Sequence, residues 1–344
     1  MRPARRKAGG RRPRPGAVSL GELVLLAACV LLAGTVRGRF YVDILVSTFL
    51  WGGLALAWNI AGGYNGLISF GHAAFFGISA YASSILLVRY GVSPWAGMWV
   101  GASAAGLLGG FLALVCARLR GPFFILSTLA MAEVVRIGAL NWRSLTGGAE
   151  GLEIPPADSW ANMVFFSKGP YLVLTLIYLL GLFLLSKAIE RSRFGYELLA
   201  TRDNEDAARA AGIDPLWTRV QAMALSAFFA GAGGTLFAQY FLYLDPTHVI
   251  SPEISFQFAL IAAVGGLGSA IGPVTGALVI VPLSELLRAW LGGGAAGLHL
   301  AIYGAVLLVV VLYFPGGIAG ALSGRARALE VGEEAARPLP GGTG

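Results

Sequence analysis

The chain is built from repeated apolar segments of about 20 residues, the length that a helix needs to cross a hydrocarbon layer roughly 30 Å thick. Hydrophobic residues make up 56% of the sequence and charged residues 12%, whereas a typical soluble domain is about 25% charged. A spanning segment must satisfy its own backbone hydrogen bonds, and the alternating pattern of barrel strands is absent. The sequence therefore predicts an all-α, polytopic transmembrane helical bundle.

Ten apolar segments are predicted to be membrane-spanning helices. They are 19–36, 41–60, 66–88, 94–116, 121–141, 170–189, 218–241, 254–272, 273–290 and 298–315. At Gly272-Pro273 two short segments meet, and they are either two spans or one broken element. The predicted organisation is a basic tail at 1–17, a transmembrane domain at 18–317 and a second tail at 318–344.

Basic residues set the expected orientation of these spans. They crowd the first fourteen positions, directly before an apolar span, which is typical of an N-terminus anchored at the cytoplasmic face rather than of a nucleic-acid-binding arm. With the N-terminus inside, the inner connections carry about three times as many Lys and Arg as the outer ones. We therefore expect both termini to be cytoplasmic and the number of spans to be even.

Two connections are long enough to indicate a function. We call residues 142–169 the outer loop and residues 190–217 the inner loop, after the sides that they are expected to face. In the inner loop, the stretch from Arg202 to Ala211 predicts one short helix outside the membrane, with acidic residues near its start and Gly212 as its stop. Its small residues would let another protein approach the backbone closely, but a solvated connecting helix fits as well.

Several motifs resemble those of a known family. The stretch Asp206-Ala-Ala-Arg-Ala-Ala-Gly212 resembles the cytoplasmic EAA loop of ABC import permeases, with Asp for Glu and without the Ile-x-Leu-Pro ending. Four further motifs are similar to the branched-chain amino acid ABC permease family, in its LivM-type branch, and the similarity is collinear from Tyr41 to Gly317. They are Trp58-Asn-Ile-Ala-Gly-Gly-Tyr-Asn-Gly-Leu-Ile-Ser-Phe-Gly-His-Ala-Ala-Phe-Phe-Gly77, Leu145-Thr-Gly-Gly148, Arg191-Ser-Arg-Phe-Gly195 and Val264-Gly-Gly-Leu-Gly-Ser269.

The resemblance implies a permease subunit of an importer in the bacterial cytoplasmic (inner) membrane. Its partners would be a second homologous permease, two ABC ATPases and a periplasmic or extracellular binding protein. The substrate would be leucine, isoleucine or valine, with urea, short amides or other amino acids as alternatives. ATP and Mg²⁺ would bind to the ATPases and no cofactor to this chain. The implied ATPase-coupling residues are Asp203, Glu205, Asp206, Ala207, Ala208 and Gly212.

The chain has no phosphate-binding Gly-x-x-x-x-Gly-Lys-Ser/Thr motif and no nucleophile–base pair, so we expect it not to be an enzyme. Its three histidines are too scattered to predict a metal site. Glycine clusters in the two halves point either to backbone that lines a pathway or to close helix packing. The candidate pathway residues are Gly62, Gly63, Asn65, Gly66, Ser69, His72, Gly265 and Gly266.

Charges inside the predicted spans leave two alternatives open. Glu133 and Arg136 are three residues apart on one helix face, so they form either a structural ion pair or a functional site. His72 is either a packing histidine or a substrate contact. An ion-coupled carrier would use acids such as Glu133 and Glu285 and would need no partner, and a channel or scaffold would need no coupling at all. Only an ABC permease needs a capped helix outside the membrane for an ATPase.

Overall fold

The computed structural model describes residues 20–36, 38–119, 121–156, 158–291, 304 and 317–320. This part of the chain is an assembly of helices, as the sequence predicts. The helices are α1 (Leu20–Thr35), α2 (Arg39–Asn59), α3 (His72–Tyr90), α4 (Pro94–Val115), α5 (Pro122–Asn141), α6 (Arg143–Thr146), α7 (Gly169–Arg191), α8 (Arg193–Asp203), α9 (Glu205–Ala210), α10 (Pro215–Phe241), α11 (Pro246–Val249), α12 (Pro252–Gly265) and α13 (Ile271–Leu291).

Eight helical stretches of the described residues are long and apolar enough to cross a membrane. One of them joins α2 to the π-helical turn Ile60–Tyr64, and another runs from α11 through α12. Helix α1 is apolar but shorter. The predicted span 298–315 and both predicted tails fall almost entirely outside the described residues. The polytopic helical bundle is confirmed.

The open question at Gly272-Pro273 is answered by two separate helices. Helix α12 ends at Gly265 and α13 begins at Ile271. The chain turns between them, where Gly266 and Gly268 adopt positive φ angles of 129° and 71°. The predicted boundary was therefore wrong, because Gly272-Pro273 lies in the first turn of α13, where a proline costs no hydrogen bond.

Helices α2 and α10 lie at the centre of the bundle. Helix α2 packs against α7, α10, α12 and α13, while α10 also packs against α3 and α4. Small residues allow these helices to approach closely, as is common in membranes. At Gly234 of α10, for example, an added Cβ would lie 2.1 Å from the main-chain oxygen of Phe76. The central helices therefore form a tightly packed body.

The inner loop contains two helices where one was predicted. Arg202 and Asp203 end α8, and α9 begins at Glu205 after a break at Asn204. The Asn204 side chain accepts hydrogen bonds from the nitrogens of Asp206 and Ala207, which is the role of a helix N-cap. The prediction of a single helix from Arg202 was wrong because it overlooked this cap. The end at Gly212, with φ of 82°, follows the prediction.

The outer loop is folded over the opposite end of the bundle. It contains α6, a 3₁₀ turn at Gly148–Glu150 and the strand β1 (Leu152–Glu153), which pairs antiparallel with β2 (Tyr243–Leu244). Gly147 has φ of 81°, and a Cβ there would lie 2.0 Å from the main-chain oxygen of Gly151. The glycines of the Leu145-Thr-Gly-Gly148 motif thus permit a tight turn. Helix α7, at roughly 34 Å, separates the outer loop from the inner loop.

Candidate functional site

The inner loop begins with a tight turn between α7 and α8. The Ser192 hydroxyl accepts a hydrogen bond from the Gly195 nitrogen at 3.1 Å and donates one to the Ile189 oxygen at 2.9 Å. A Cβ at Gly195 would lie only 2.0 Å from that same oxygen. The Arg191–Gly195 motif therefore fixes the angle at which the inner loop leaves the bundle.

Helix α9 is fastened to the bundle through Glu205. Its carboxylate accepts hydrogen bonds from Arg209 at 2.7 Å and from Arg219 of α10 at 3.0 Å. The side chain of Glu205 is 13% exposed. Of the predicted coupling residues, Ala208 is also buried, so these two hold α9 in place. The structure thus divides the predicted set into residues that face the bundle and residues that face outward.

The outward face of α9 is small and polar. Asp206 has a side chain that is 89% exposed, and Ala207, Ala210 and Ala211 are exposed as well. Next to this face lies a cavity of about 480 Å³. It is lined by Arg193, Tyr196, Glu197, Ala211, Gly212 and Ile213. A short helix and an adjoining groove are a surface into which another protein can fit.

A first glycine-rich junction joins α2 to α3. We call residues 60–71 junction A; it comprises the π-helical turn and the segment that follows it. At the end of α2, Trp58 Nε1 donates a hydrogen bond to the Ser69 oxygen of junction A at 2.8 Å. The Ser69 hydroxyl in turn accepts from the Gly71 nitrogen at 3.2 Å. This predicted pathway segment is therefore held in a defined conformation.

A second glycine-rich junction, which we call junction B (residues 266–270), joins α12 to α13 and contacts the first. Asn59 bridges the two: its Oδ1 accepts from the Gly268 nitrogen at 3.0 Å, and its Nδ2 donates to the Ser269 oxygen at 3.1 Å. A Cβ at Gly63 would lie 1.8 Å from Asn59 Oδ1 and 2.7 Å from the Gly268 nitrogen. The structure thus brings together the glycines that the sequence predicts as a pair of interruptions.

Two charged side chains complete this contact. Arg202 of α8 donates from Nη1 to the Gly63 oxygen at 2.8 Å. Glu190, at the end of α7, accepts at Oε1 from the Ala270 nitrogen at 2.8 Å and from the Tyr64 hydroxyl at 2.9 Å. The inner loop is therefore bonded to both junctions, and all three lie at the same end of the bundle.

His72 begins α3 and is completely buried. Its Nε2 lies 2.8 Å from the Ser226 hydroxyl, which donates to the Ala57 oxygen at 2.7 Å. Since the hydroxyl proton is used in that bond, Nε2 donates to Ser226. The structure thus places His72 in a packed interface between α2, α3 and α10, and contact with a substrate stays a prediction.

Glu133 and Arg136 form the ion pair that their spacing predicts. Arg136 Nε donates to Glu133 Oε2 at 2.8 Å, and a second bond joins Nη2 to Oε1. Helix α5, which carries them, is the least covered span: 17% of it is buried, against 44% or more of every other span among the described residues. The pair is bonded within its own helix and lies on a helix that the described part of the chain leaves largely uncovered.

Sequence reasoning missed three residues of this site. Asn59 stands in the quoted Trp58–Gly77 motif, directly before the glycines, and an amide in the last turn of an apolar span was a usable signal. Glu190 and Arg202 counted only as loop charges. Their partners on junctions A and B are distant in the sequence, so no local pattern pointed to these contacts.

Comparison with known proteins places these features in a family. A family model described as branched-chain amino acid transport system, permease component, matches residues 40–311. The LivM high-affinity branched-chain amino acid permease of Escherichia coli (strain K12) is 32% identical over 296 residues, which cover 78% of this chain and 68% of that protein. This chain thus spans about two thirds of the length of that relative.

More distant relatives also match most of the chain. A probable LivM permease of Methanocaldococcus jannaschii is 23% identical, over 80% of this chain and 93% of that protein. The autoinducer 2 import permease LsrC of Klebsiella pneumoniae is 31% identical, over 65% of this chain and 64% of that protein. No solved structure matches the chain.

Proposed function

The chain belongs to the branched-chain amino acid transport permease family, and from that membership we propose that it carries leucine, isoleucine or valine across the inner membrane as the membrane-spanning subunit of an ABC importer. The eight apolar helical stretches among its described residues agree with a multi-pass membrane protein. The substrate is delivered by a separate binding protein, and the energy comes from separate ATPases.

The observation that carries this proposal is the inner loop. Helix α9 presents an exposed face with Asp206 and three alanines, and it is fixed by the Asn204 cap and by the bond from Glu205 to Arg219. A helix that receives force from another protein must be both accessible and rigidly attached. We propose that this face, together with the 480 Å³ cavity beside it, docks the ATPase on the cytoplasmic side.

The proposed substrate rests on the relatives. The names of the LivM relatives state branched-chain amino acids, whereas the name of the LsrC relative states autoinducer 2. Since related permeases serve such different solutes, we propose that the binding protein selects the substrate. Urea, short amides and other amino acids are the alternatives that a direct uptake measurement decides.

Helix α5 supports pairing with a second, homologous permease. Its Glu133–Arg136 pair lies near the middle of the span, and the two side chains are 40% and 26% exposed in the single chain. Charged groups at that depth are costly against lipid. We propose that the second permease covers this face and that two ATPases complete the assembly. ATP and Mg²⁺ bind to those ATPases, and this chain is not itself an enzyme.

The acids that an ion-coupled carrier would need are already paired. Glu133 bonds to Arg136, and Glu285 lies 3.8 Å from Arg288. Neither arrangement favours the carrier over the importer. ATP-driven uptake remains the better supported function.

The test is uptake by proteoliposomes that hold the whole assembly with its binding protein. Uptake of radiolabelled leucine should require ATP and the binding protein and should persist after proton and sodium gradients are collapsed. Uptake should also survive Glu133→Gln at least partly. Complete loss of uptake on collapsing the gradients, with ATP held constant, would contradict the importer and favour the carrier.

A further inference from the structure

We propose that Arg202 is a positioning residue that transmits movement of the inner loop to junctions A and B. The inference rests on the proposed function, because it assigns a path by which an ATPase docked on α9 acts on the membrane helices. Arg202 lies in the last turn of α8, the helix that leads into α9, and its guanidinium bonds to the main chain of junction A. It is thus the one group on α8 for which the described contacts show a side-chain bond to either junction.

The first step is what Arg202 does for junction A. The last carbonyl groups of a helix have no partner within the helix, and they form its negative end. The Gly63 oxygen is such a group, at the end of the π-helical turn that follows α2. Arg202 supplies it with a charged donor at 2.8 Å. Charge-assisted bonds of this kind are stronger than bonds between neutral groups.

The second step is how closely the Arg202 side chain is held. A Cβ at Gly66 would lie 2.8 Å from Arg202 Cγ, and a Cβ at Gly268 would lie 3.0 Å from Arg202 Nη1. Both glycines also adopt positive φ angles, of 73° and 71°. The two junctions therefore contact one side of the Arg202 side chain, which is 34% exposed and also pairs with Asp203 at 3.4 Å, and their backbone leaves no room for larger residues at Gly66 and Gly268.

The third step joins the two junctions to each other. Asn59 bonds to the main chain on both sides of the Gly268–Ser269 peptide, and Glu190 bonds to Ala270 and Tyr64. A displacement of junction A thus displaces junction B as well. These junctions end α2 and α12 and begin α3 and α13, so a shift of α8 reaches four membrane helices through Arg202.

Arg288 provides a control at the opposite end of the bundle. Its side chain is 64% exposed and lies 3.8 Å from Glu285, on the same helix α13. Arg288→Gln removes the same charge without touching either junction or the proposed docking surface. The α9 attachment through Asn204 and Glu205 uses neither arginine, so ATPase binding should be retained in both variants.

The experiment follows junction A directly. Ile68, which is 40% exposed within junction A, is changed to Cys in a background with Cys29→Ala and Cys116→Ala. The assembly with its ATPases is labelled with a maleimide in the presence and absence of a non-hydrolysable ATP analogue. With Arg202 intact, the analogue should change the labelling rate at least fivefold. With Arg202→Gln the change should fall below twofold, while Arg288→Gln should behave as the parent.

The conservative variant separates positioning from a general loss of structure. Arg202→Lys keeps a cationic donor but loses the planar guanidinium group, so it should give a change in labelling rate between those of Arg202→Gln and the parent. It also replaces Arg202→Gln if that variant does not fold. A change in labelling rate as large as the parent's in Arg202→Gln would overturn the inference while leaving the proposed function intact. If Arg202→Gln does not fold, the same result in Arg202→Lys would overturn it. No response in the parent, with ATPases bound, would contradict the proposed function and this inference together.

Discussion

At the end of the bundle that carries the inner loop, charged side chains hold the helix ends together, whereas at the opposite end mostly neutral groups do so. On the inner side Lys187 lies 2.5 Å from Glu22 and 3.2 Å from Glu190, and Arg202 and Glu190 bond to the two junctions. These charges are partly buried, and such pairs are costly to break one partner at a time. The inner end is therefore held as a connected unit.

The outer end is held largely by aromatic donors and main-chain oxygens. Tyr171 donates to the Gln239 oxygen at 2.7 Å, Tyr81 to the Leu244 oxygen at 3.1 Å and Trp95 to the Trp160 oxygen at 2.8 Å. An ion pair between Lys168 and Asp43 and a hydrogen bond from Arg89 to the Leu145 oxygen at 2.9 Å add to them. Each such neutral bond is worth only about 1 kcal/mol. The outer loop is therefore held in place by several independent contacts, whereas the inner loop is bonded to the helix ends as part of one connected network.

The largest expected effect concerns the exposed face of α9. Asp206→Lys combined with Ala210→Trp should reduce co-purification of the ATPases about tenfold or more, because it reverses a charge and places a bulky ring on the docking surface. Membrane insertion should be unchanged, since both side chains face away from the bundle. The matched control is Ala161→Trp, an exposed alanine in the outer loop, which should leave co-purification intact.

Full co-purification in the double variant would place the ATPase contact elsewhere. Loss of co-purification in Ala161→Trp as well would break the contrast between the two ends, because the outer loop would then matter for assembly on the opposite side. Both outcomes are read from the same affinity purification.

A smaller effect is expected from Asn59→Leu, which keeps the side-chain volume but removes the bridge between the junctions. The Gly268 nitrogen and the Ser269 oxygen, both partly buried, then lose their partner, which should lower the free energy of unfolding by about 2–4 kcal/mol. Thermal unfolding in detergent measures it. Asn141→Leu is the matched control, because Asn141 is exposed and, among the described residues, donates only to Ile137 one turn earlier.

Equal stability of the two Asn variants would contradict the view that the inner junctions are a connected unit. The control should cost less than about 1 kcal/mol, since water replaces its lost partner. A large cost in Asn141→Leu would mean that solvent exposure does not determine what such a bond contributes at this bundle.

The sequence predicts the bundle well because span length and apolar composition are local properties. It also points to the right motifs: the glycine clusters in residues 62–66 and 265–268 do form the contact between junctions A and B. It does not predict the contact itself, because Arg202 and Gly63 lie 139 residues apart and Asn59 and Gly268 lie 209 residues apart. Only the fold determines which of several loop charges meets a helix end.

The single helix predicted for the inner loop was wrong for a different reason. The propensity of the Arg202–Ala211 stretch favours one continuous helix, but Asn204 competes by capping a new one. The cap was visible in the sequence, as Asn followed by Glu and Asp, so this error was avoidable. That Ala208 faces the bundle while Ala207 and Ala210 face outward follows from how α9 packs, and composition alone could not separate them.

The smallest expected effect is at the outer end. Trp95→Phe keeps an aromatic ring but removes the indole donor to the Trp160 oxygen, and it should lower the free energy of unfolding by about 0.5–1.5 kcal/mol. Because the outer loop is also held by the β1–β2 pairing and by Tyr171, its other contacts should remain in place. Thermal unfolding measures the loss, and maleimide labelling at Ile68→Cys should respond to nucleotide as in the parent. If Trp95→Phe abolished that response, the outer end would be coupled to the junctions as tightly as the inner loop is. The proposed difference between the outer loop and the inner loop would then be wrong.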